Sequence, residues 1–165
     1  MRDAHNRALA RTLLDVARIG GHVVTTAESC TGGLVAGAIT DLPGASEIFD
    51  RGFVTYSNAA KVEVLGVRTE TLDTHGAVSR ETAIEMAQGA LKHSRATLAV
   101  SVTGIAGPDG GSPEKPVGLV HFACAGPDGA RHVERRFGSL TRDEIRAAAV
   151  AQALEMLIES AQTRP

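Results

Sequence analysis

The chain has 165 residues, of which 43% are hydrophobic and 22% are charged, and its formal net charge is −2. This length and composition predict a single globular domain spanning residues 1–165. Its near-neutral charge and few aromatic residues (four Phe, one Tyr and no Trp) argue against nucleic-acid binding, and no stretch approaches the roughly 20 apolar residues of a membrane helix.

The first 66 residues alternate between helical and strand patterns. Apolar residues at helical spacing predict a helix over 4–19, and the β-branched run 22–27 predicts a buried strand. Small residues over 31–40 favour a closely packed helix. The pattern over residues 52–57 predicts a second strand. Asn58 is a good N-cap for a short helix that ends at Gly66.

The second half predicts two more helices and a hairpin. Ser79 caps a helix over 80–93, and the strand 97–103 leads into a glycine- and proline-rich loop. Two strands, 117–125 and 131–137, flank a turn at 126–129. Thr141 and Glu144 form a capping box that opens a helix to about residue 160. This order predicts a single-domain, mixed-sheet α/β sandwich with helices on both faces.

Three loops that follow predicted strands carry polar residues suited to chemistry. In α/β sheets, ligands collect beyond the carboxyl ends of the strands, where helix N-termini offer free N–H groups. The three loops are 28–33, 56–61 and 103–108. We therefore expect one ligand site where they converge.

Ser29 is a candidate nucleophile, because its hydroxyl sits between a strand and a glycine-containing helix start. Backbone N–H groups of Thr31, Gly32 or Gly33 are suited to hold an oxyanion there. The Gly-x-Ser-x-Gly elbow of the hydrolases is absent. A serine in this position equally fits a helix cap.

Lys61 is the candidate base. It falls in the first turn of its helix, where the dipole disfavours a cation, and burial would lower its pKa further. A solvated surface lysine is the alternative. The six histidines form no recognisable cluster and none lies in the three loops. Tyr56, the one tyrosine, is suited to bind substrate or relay a proton, and also to be a half-buried core residue.

The remaining motifs exclude several cofactors. The loop after Thr103 and Gly104 matches neither a dinucleotide fingerprint nor a P-loop. Arg142 can clamp a phosphate or carboxylate, or lie in solvent. The two cysteines have no metal or disulfide spacing, so no metal is expected, and two reduced thiols in a cytoplasmic protein are predicted.

Six blocks of the chain, in order, carry a specific resemblance. They are 26–33, 51–58, Lys61 with 65–67, 76–79, 101–108 and 114–118. Together they resemble the CinA C-terminal domain family, over about residues 9–157. The stand-alone members of this family act as nicotinamide-nucleotide amidases. One stretch departs from the family pattern: the usual Phe-x-Gly-Asp-Arg before the last helix reads Phe-Gly-Ser-Leu-Thr-Arg over 137–142.

The resemblance implies hydrolysis of the carboxamide of nicotinamide mononucleotide to nicotinic acid mononucleotide and ammonia, with no cofactor. The family's Ser/Lys pair falls on Ser29 and Lys61, with Tyr56 as a third catalytic residue. A non-catalytic nucleotide-binding sensor or scaffold is the alternative, and monomer and homo-oligomer both remain open. The partner expected in either case is a small mononucleotide, and its binding residues are expected to be Thr31, Gly32, Gly33, Ser57, Asn58, Thr103, Gly104 and Arg142.

Overall fold

The computed structural model describes residues 2–163 of the chain. These residues form five strands and six helices. A short 3-10 helix at Ala45–Glu47 precedes the second strand. The helices are α1 (Arg2–Gly20), α2 (Leu34–Thr40), α3 (Asn58–Leu65), α4 (Thr69–His75), α5 (Arg80–Lys92) and α6 (Arg142–Gln162). The strands are β1 (Val24–Glu28), β2 (Phe49–Val54), β3 (Leu98–Gly104), β4 (Leu119–Gly126) and β5 (Gly129–Arg136).

The strands form one sheet in the order β2-β1-β3-β4-β5. The first three strands are parallel, because helical crossovers connect them. The other two form an antiparallel hairpin whose turn is closed by the pair Gly126 and Gly129. The predicted mixed sheet and the predicted hairpin are both confirmed.

Side chains that alternate along the strands give the sheet two different faces. Large residues such as Val100, Val102 and Phe122 point toward α1 and α6 and join the main hydrophobic core. On the opposite face, the small residues Ala99 and Ala123 pack under α5. Helices therefore cover both faces, as predicted, and α5 lies closer to the sheet because the residues beneath it are small.

A glycine sets the position of α3 against α5. Any Cβ at Gly89 of α5 would clash with the backbone carbonyl oxygen of Leu65, the last residue of α3. A helix-interior glycine costs about 1 kcal/mol relative to alanine, so the close approach accounts for its presence. The contact places α3, and the lysine on its first turn, against the body of the domain.

The predicted capping box on α6 is confirmed. Thr141 accepts a hydrogen bond from the backbone N–H of Glu144, and the Glu144 carboxylate accepts one from the N–H of Thr141. Buried residues such as Ile145, Leu154 and Leu157 then anchor the helix on the sheet. Within residues 2–163, no helix is long and apolar enough to cross a membrane.

Two local expectations are wrong, and one helix was not predicted. The second helix begins at Leu34 rather than Thr31, because Gly32 and Gly33 have positive φ values of 58° and 103° and form a turn. Ser57, not Asn58, caps α3, its hydroxyl accepting the N–H of Ala60 at 3.0 Å. The short helix α4 carries little apolar periodicity and has no predicted counterpart.

Candidate active site

The parallel strands end at the same level, and the three loops start there together. Glu28 on β1 lies opposite Val54 on β2 and Val102 on β3. The N–H of Ser29 donates to the carbonyl of Val102 at 2.9 Å, and the N–H of Thr55 donates to the carbonyl of Glu28, also at 2.9 Å. These two bonds tie the residues that follow β1 and β2 to the neighbouring strands.

Glu28 holds the turn that carries Ser29. Its buried carboxylate accepts the backbone N–H groups of Val35 at 2.8 Å and Ala36 at 3.0 Å. The N-cap of α2 is Gly33, which has no side chain to accept these donors. The carboxylate at the end of β1 therefore caps α2 across the turn.

Ser29 is contacted by Lys61, which is fully buried. The Lys61 Nζ atom lies 3.0 Å from Ser29 Oγ, 2.8 Å from the carbonyl oxygen of Thr55 and 3.3 Å from that of Tyr56. Only 1% of Lys61 is exposed. Ser29 does not cap α2, and Lys61 is not a surface lysine.

Burial lowers the pKa of Lys61 from its usual 10.5 to about 8, because the charged ammonium loses its hydration. A neutral amine has two N–H donors and one lone pair. The carbonyls of Thr55 and Tyr56 are suited to take these two donors, and the third neighbour of Nζ is the hydroxyl of Ser29. An amine in hydrogen-bond contact with an alcohol is an arrangement that suits general-base chemistry.

Cys30, next to the serine, is chemically different. Burial raises the pKa of its thiol to about 11. The thiolate, not the thiol, is the nucleophilic form of cysteine. Cys30 is therefore protonated near neutral pH, and the hydroxyl of Ser29, which has a base beside it, is the better nucleophile.

A cavity of about 280 Å³ opens in front of Ser29 and Lys61. Arg142 lies at its mouth, donating to the carbonyl of Gly107 at 2.7 Å and to the hydroxyl of Tyr56 at 3.2 Å. Tyr56 is 61% exposed, so it is not a core aromatic. The other lining residues are Cys30, Ala77, Val78, Thr103, Gly104, Ile105, Ala106, Asp109 and Gly110.

The structure gathers some of the predicted site residues and leaves others outside. Six of them line the cavity: Ser29, Tyr56, Lys61, Thr103, Gly104 and Arg142. Five do not: Thr31, Gly32, Gly33, Ser57 and Asn58. The N–H of Gly32 is engaged at 3.0 Å by the carbonyl of Ser29, closing the turn. Ser57 serves as the cap of α3, and Asn58 is exposed.

Two features were not predicted from the sequence: one lies beside the site and the other lies on the sheet. Arg146 contacts the carbonyl oxygens of Cys30 and Thr31 at 3.1 and 3.3 Å. Arg146 lies four residues after Arg142, so the two arginines share one face of the helix. This spacing in the sequence is a signal for Arg146. Away from the cavity lining, His121 and His132 stack with ring nitrogens 2.8 Å apart, because β4 and β5 pair.

No group of three or more His, Cys, Asp or Glu side chains suited to holding a metal ion occurs among residues 2–163. The ionisable side chains that line the cavity are Cys30, Tyr56, Lys61, Asp109 and Arg142. They offer a base, a guanidinium cation and one carboxylate. Such a set suits a polar substrate that carries a negative group and a carbonyl centre to be attacked.

Comparison with known proteins gives a consistent result. A family profile described as "CinA C-terminal domain" matches residues 6–161. The "Nicotinamide-nucleotide amidohydrolase PncC" of Escherichia coli (strain K12) is 54% identical over 157 residues, covering 95% of both chains. A "Putative competence-damage inducible protein" of Caldanaerobacter subterraneus is 54% identical over 83% of this chain and 33% of its own. The crystal structure of "competence/damage inducible protein CihA" from Agrobacterium tumefaciens has a TM-score of 0.91 and 58% identity, covering 94% of both chains.

Proposed function

The chain belongs to the CinA C-terminal domain family, and on that premise we propose that it hydrolyses the carboxamide of nicotinamide mononucleotide. The products are nicotinic acid mononucleotide and ammonia. The name of the Escherichia coli relative, a nicotinamide-nucleotide amidohydrolase that aligns over 95% of this chain, supports the substrate. The observation that carries the chemistry is the 3.0 Å contact between Lys61 Nζ and Ser29 Oγ inside a cavity.

The first half of the proposed reaction forms an acyl-enzyme. Neutral Lys61 takes the proton of the Ser29 hydroxyl as Oγ bonds to the carboxamide carbon. The tetrahedral intermediate carries an oxyanion, and Cys30 is the residue of the turn 30–33 that lines the cavity and whose backbone N–H is proposed as a donor. As the C–N bond breaks, the Lys61 ammonium returns its proton to the leaving nitrogen, which departs as ammonia.

The second half releases the acid. Lys61, neutral again, takes a proton from a water molecule that attacks the ester carbon, and the bond to Ser29 Oγ breaks. The serine oxygen regains a proton from Lys61, and the product leaves as a carboxylate. The whole cycle returns both residues to their starting forms and consumes one water.

Arg142 is proposed to bind the phosphate of the nucleotide. Its guanidinium lines the same cavity as Ser29 and is held at the mouth by Gly107 and Tyr56. A planar fork of donors suits phosphate oxygens. The altered stretch before α6 therefore does not remove the arginine from the site. Tyr56 is proposed to orient Arg142 and contact the substrate, since its hydroxyl accepts from that guanidinium.

The test is ammonia release from nicotinamide mononucleotide by the purified protein and by the Ser29→Ala variant. We expect turnover by the wild type and a loss of more than tenfold in the variant, because the covalent step is removed. Binding, measured by calorimetry, should change little. Ser94→Ala, two residues beyond the end of α5, is the matched control and should keep wild-type turnover.

The sensor alternative predicts another outcome. A protein that binds the mononucleotide with no ammonia release, and binds it equally well after Ser29→Ala, would be a nucleotide-binding module. Ser29→Ala retaining more than about a tenth of wild-type turnover would instead remove Ser29 from the role of nucleophile.

A further inference from the structure

Arg142 and Arg146 lie one turn apart on α6, and both face the site. Their contacts differ. Arg142 lines the substrate cavity in front of Ser29. Arg146 lies on the other side of the turn formed by residues 29–32 and lines a separate groove of about 740 Å³ between α1, α2 and α6. The turn that carries the serine is therefore enclosed between the cavity and the guanidinium of Arg146.

The contact between Arg146 and this turn is made with backbone only. Its Nε donates to the carbonyl of Cys30 at 3.1 Å, and its Nη2 donates to the carbonyl of Thr31 at 3.3 Å. A Cβ at Gly32 would lie 3.5 Å from the same Nη2, so the guanidinium also packs against Gly32, the last residue of the turn. One planar side chain thus contacts three successive residues after Ser29.

These contacts restrict the orientation of the peptide planes. Each peptide unit is planar, so holding the carbonyl oxygens of Cys30 and Thr31 on one side directs the following N–H groups to the other. One of these, the N–H of Gly32, donates to the carbonyl of Ser29 at 3.0 Å and closes the turn. Arg146 therefore acts on the backbone of Ser29 through two peptide units.

Lysine cannot replace this fork. An ammonium is a single compact donor group, whereas the guanidinium presents donors in a fixed plane that spans two carbonyls. A displacement of about 1 Å at a reacting group can cost 10²-fold in rate. The distance to be protected here is the 3.0 Å between Ser29 Oγ and Lys61 Nζ.

We propose that Arg146 is a positioning residue for Ser29, which holds the hydroxyl in line with Lys61 without touching the substrate. The kinetic part of this proposal rests on the proposed amidase function. It predicts a loss in kcat with little change in KM, since Arg146 is absent from the cavity lining. Residues that bind substrate show the opposite split.

The experiment compares Arg146→Lys and Arg146→Ala with Arg7→Met as the matched control. Arg7 lines the same groove but contacts Asp41 at 3.7 Å rather than the turn. We expect kcat to fall roughly 10- to 100-fold in both Arg146 variants, with KM within about threefold of wild type and Arg7→Met unaffected. Millimolar methylguanidinium should restore part of the kcat of Arg146→Ala, because the groove is open to solvent.

A second measurement does not depend on the nucleotide. Phosphorylation of Ser29 by diisopropyl fluorophosphate, in which the serine oxygen displaces fluoride from phosphorus, reports by intact mass how well the serine is placed and activated. The labelling rate should fall in Arg146→Lys in parallel with kcat. If the wild type labels at Ser29 but does not hydrolyse the nucleotide, the amidase proposal fails and the labelling rates still test Arg146.

Three outcomes would overturn the role of Arg146. The first is Arg146→Lys with wild-type kcat and wild-type labelling. The second is a rise in KM at unchanged kcat, which would make Arg146 a substrate-binding residue. The third is a folded Arg146→Ala protein, by circular dichroism, that stays inactive in methylguanidinium at concentrations that saturate the groove.

Discussion

Lys61 combines a buried position with a complete set of hydrogen bonds, and the two together define its chemistry. Burial makes the charged form costly, while two carbonyl acceptors keep the neutral amine in a single orientation. A pKa of about 8 leaves a minor fraction of Lys61 neutral at pH 7, and the proposed mechanism uses this fraction as the base. The proposed reactivity thus depends on a few atoms around one nitrogen.

Lys61→Arg separates a base from a phosphate-binding cation. Arginine keeps the charge but cannot accept a proton near neutral pH. We expect turnover to fall roughly 10²- to 10⁴-fold, the usual contribution of general-base catalysis, with nucleotide affinity little changed. Steady-state kinetics and calorimetry measure the two quantities, and Lys92→Arg on the exposed end of α5 is the control.

The wild-type rate should also rise with pH and level off above about pH 8, because only the neutral amine of Lys61 accepts the proton of Ser29. The measurement is kcat/KM across pH 5–10. A flat profile together with an active Lys61→Arg enzyme would contradict the Ser29/Lys61 mechanism.

At the scale of elements, α2 is a helix whose cap comes from another element. Gly33 provides the positive φ of 103° that the turn needs but no side-chain acceptor. Glu28 at the end of β1 supplies two carboxylate oxygens instead, and the negative charge also suits the positive end of the helix dipole. The strand, the turn with Ser29 and the helix are thereby joined as one unit.

Glu28→Gln tests this junction. The amide keeps the shape but offers one acceptor oxygen, so the N–H of Val35 or Ala36 loses its partner in a buried place. We expect the free energy of unfolding to fall by about 1–3 kcal/mol, measured by urea denaturation. Glu63→Gln, at an exposed position of α3, should change it by no more than about 0.5 kcal/mol.

Periodicity and capping residues are enough to predict most elements from the sequence. The five strands, α1, α5 and α6 are all recognisable, because each has a clear apolar pattern or a strong cap such as Thr141. The helix α4 is not, since its residues are mostly polar and its one buried member, Thr71, is held by Glu85. The start of α2 is misjudged because its cap, Glu28, is distant in sequence.

Only part of the candidate site can be predicted from the sequence, because some of its contacts join residues that are distant in the chain. Ser29, Lys61 and Arg142 lie on loops and helix starts that sheet topology brings together. The family resemblance selects Ser29 and Lys61, whereas the stretch before Arg142 departs from the family pattern. The spacing of Arg146 from Arg142 places both residues on one face of α6, but no local pattern contains the contact of Arg146 with the carbonyl of Cys30, 116 residues away. Oxyanion donors likewise depend on peptide orientation rather than on residue type.

At the scale of the whole molecule, several buried titratable groups make stability depend on pH. The pKa of Lys61 is lower in the folded chain than in the unfolded chain, so between about pH 8 and 10.5 the unfolded state binds more protons there. This contribution raises stability as pH rises. The thiol of Cys30 acts oppositely, because its folded pKa of about 11 exceeds the usual 9.0.

Lys61→Met tests the lysine contribution. Lys61 and Cys30 interact electrostatically, so the difference in unfolding free energy between this variant and the wild type reports Lys61 together with its effect on Cys30. We expect the unfolding free energy of the wild type to rise relative to that of the variant between pH 8 and 10.5. The slope should reach on the order of 1 kcal/mol per pH unit above pH 9. Urea denaturation at each pH measures it, and a difference independent of pH would show that burial does not perturb Lys61.

The attachment of α6 to the turn that carries Ser29 also sets an order in time during synthesis. Ser29 and Lys61 leave the ribosome early, yet Leu154 and Leu157, which complete the core, and Arg146, which contacts the turn, are made more than 80 residues after Lys61. A chain that stops before α6 therefore leaves the apolar face of its sheet uncovered and lacks the contacts of Arg146 with the turn that carries Ser29. One helix, made after both site residues, thus completes the core and the backbone contacts of this turn at the same point in synthesis.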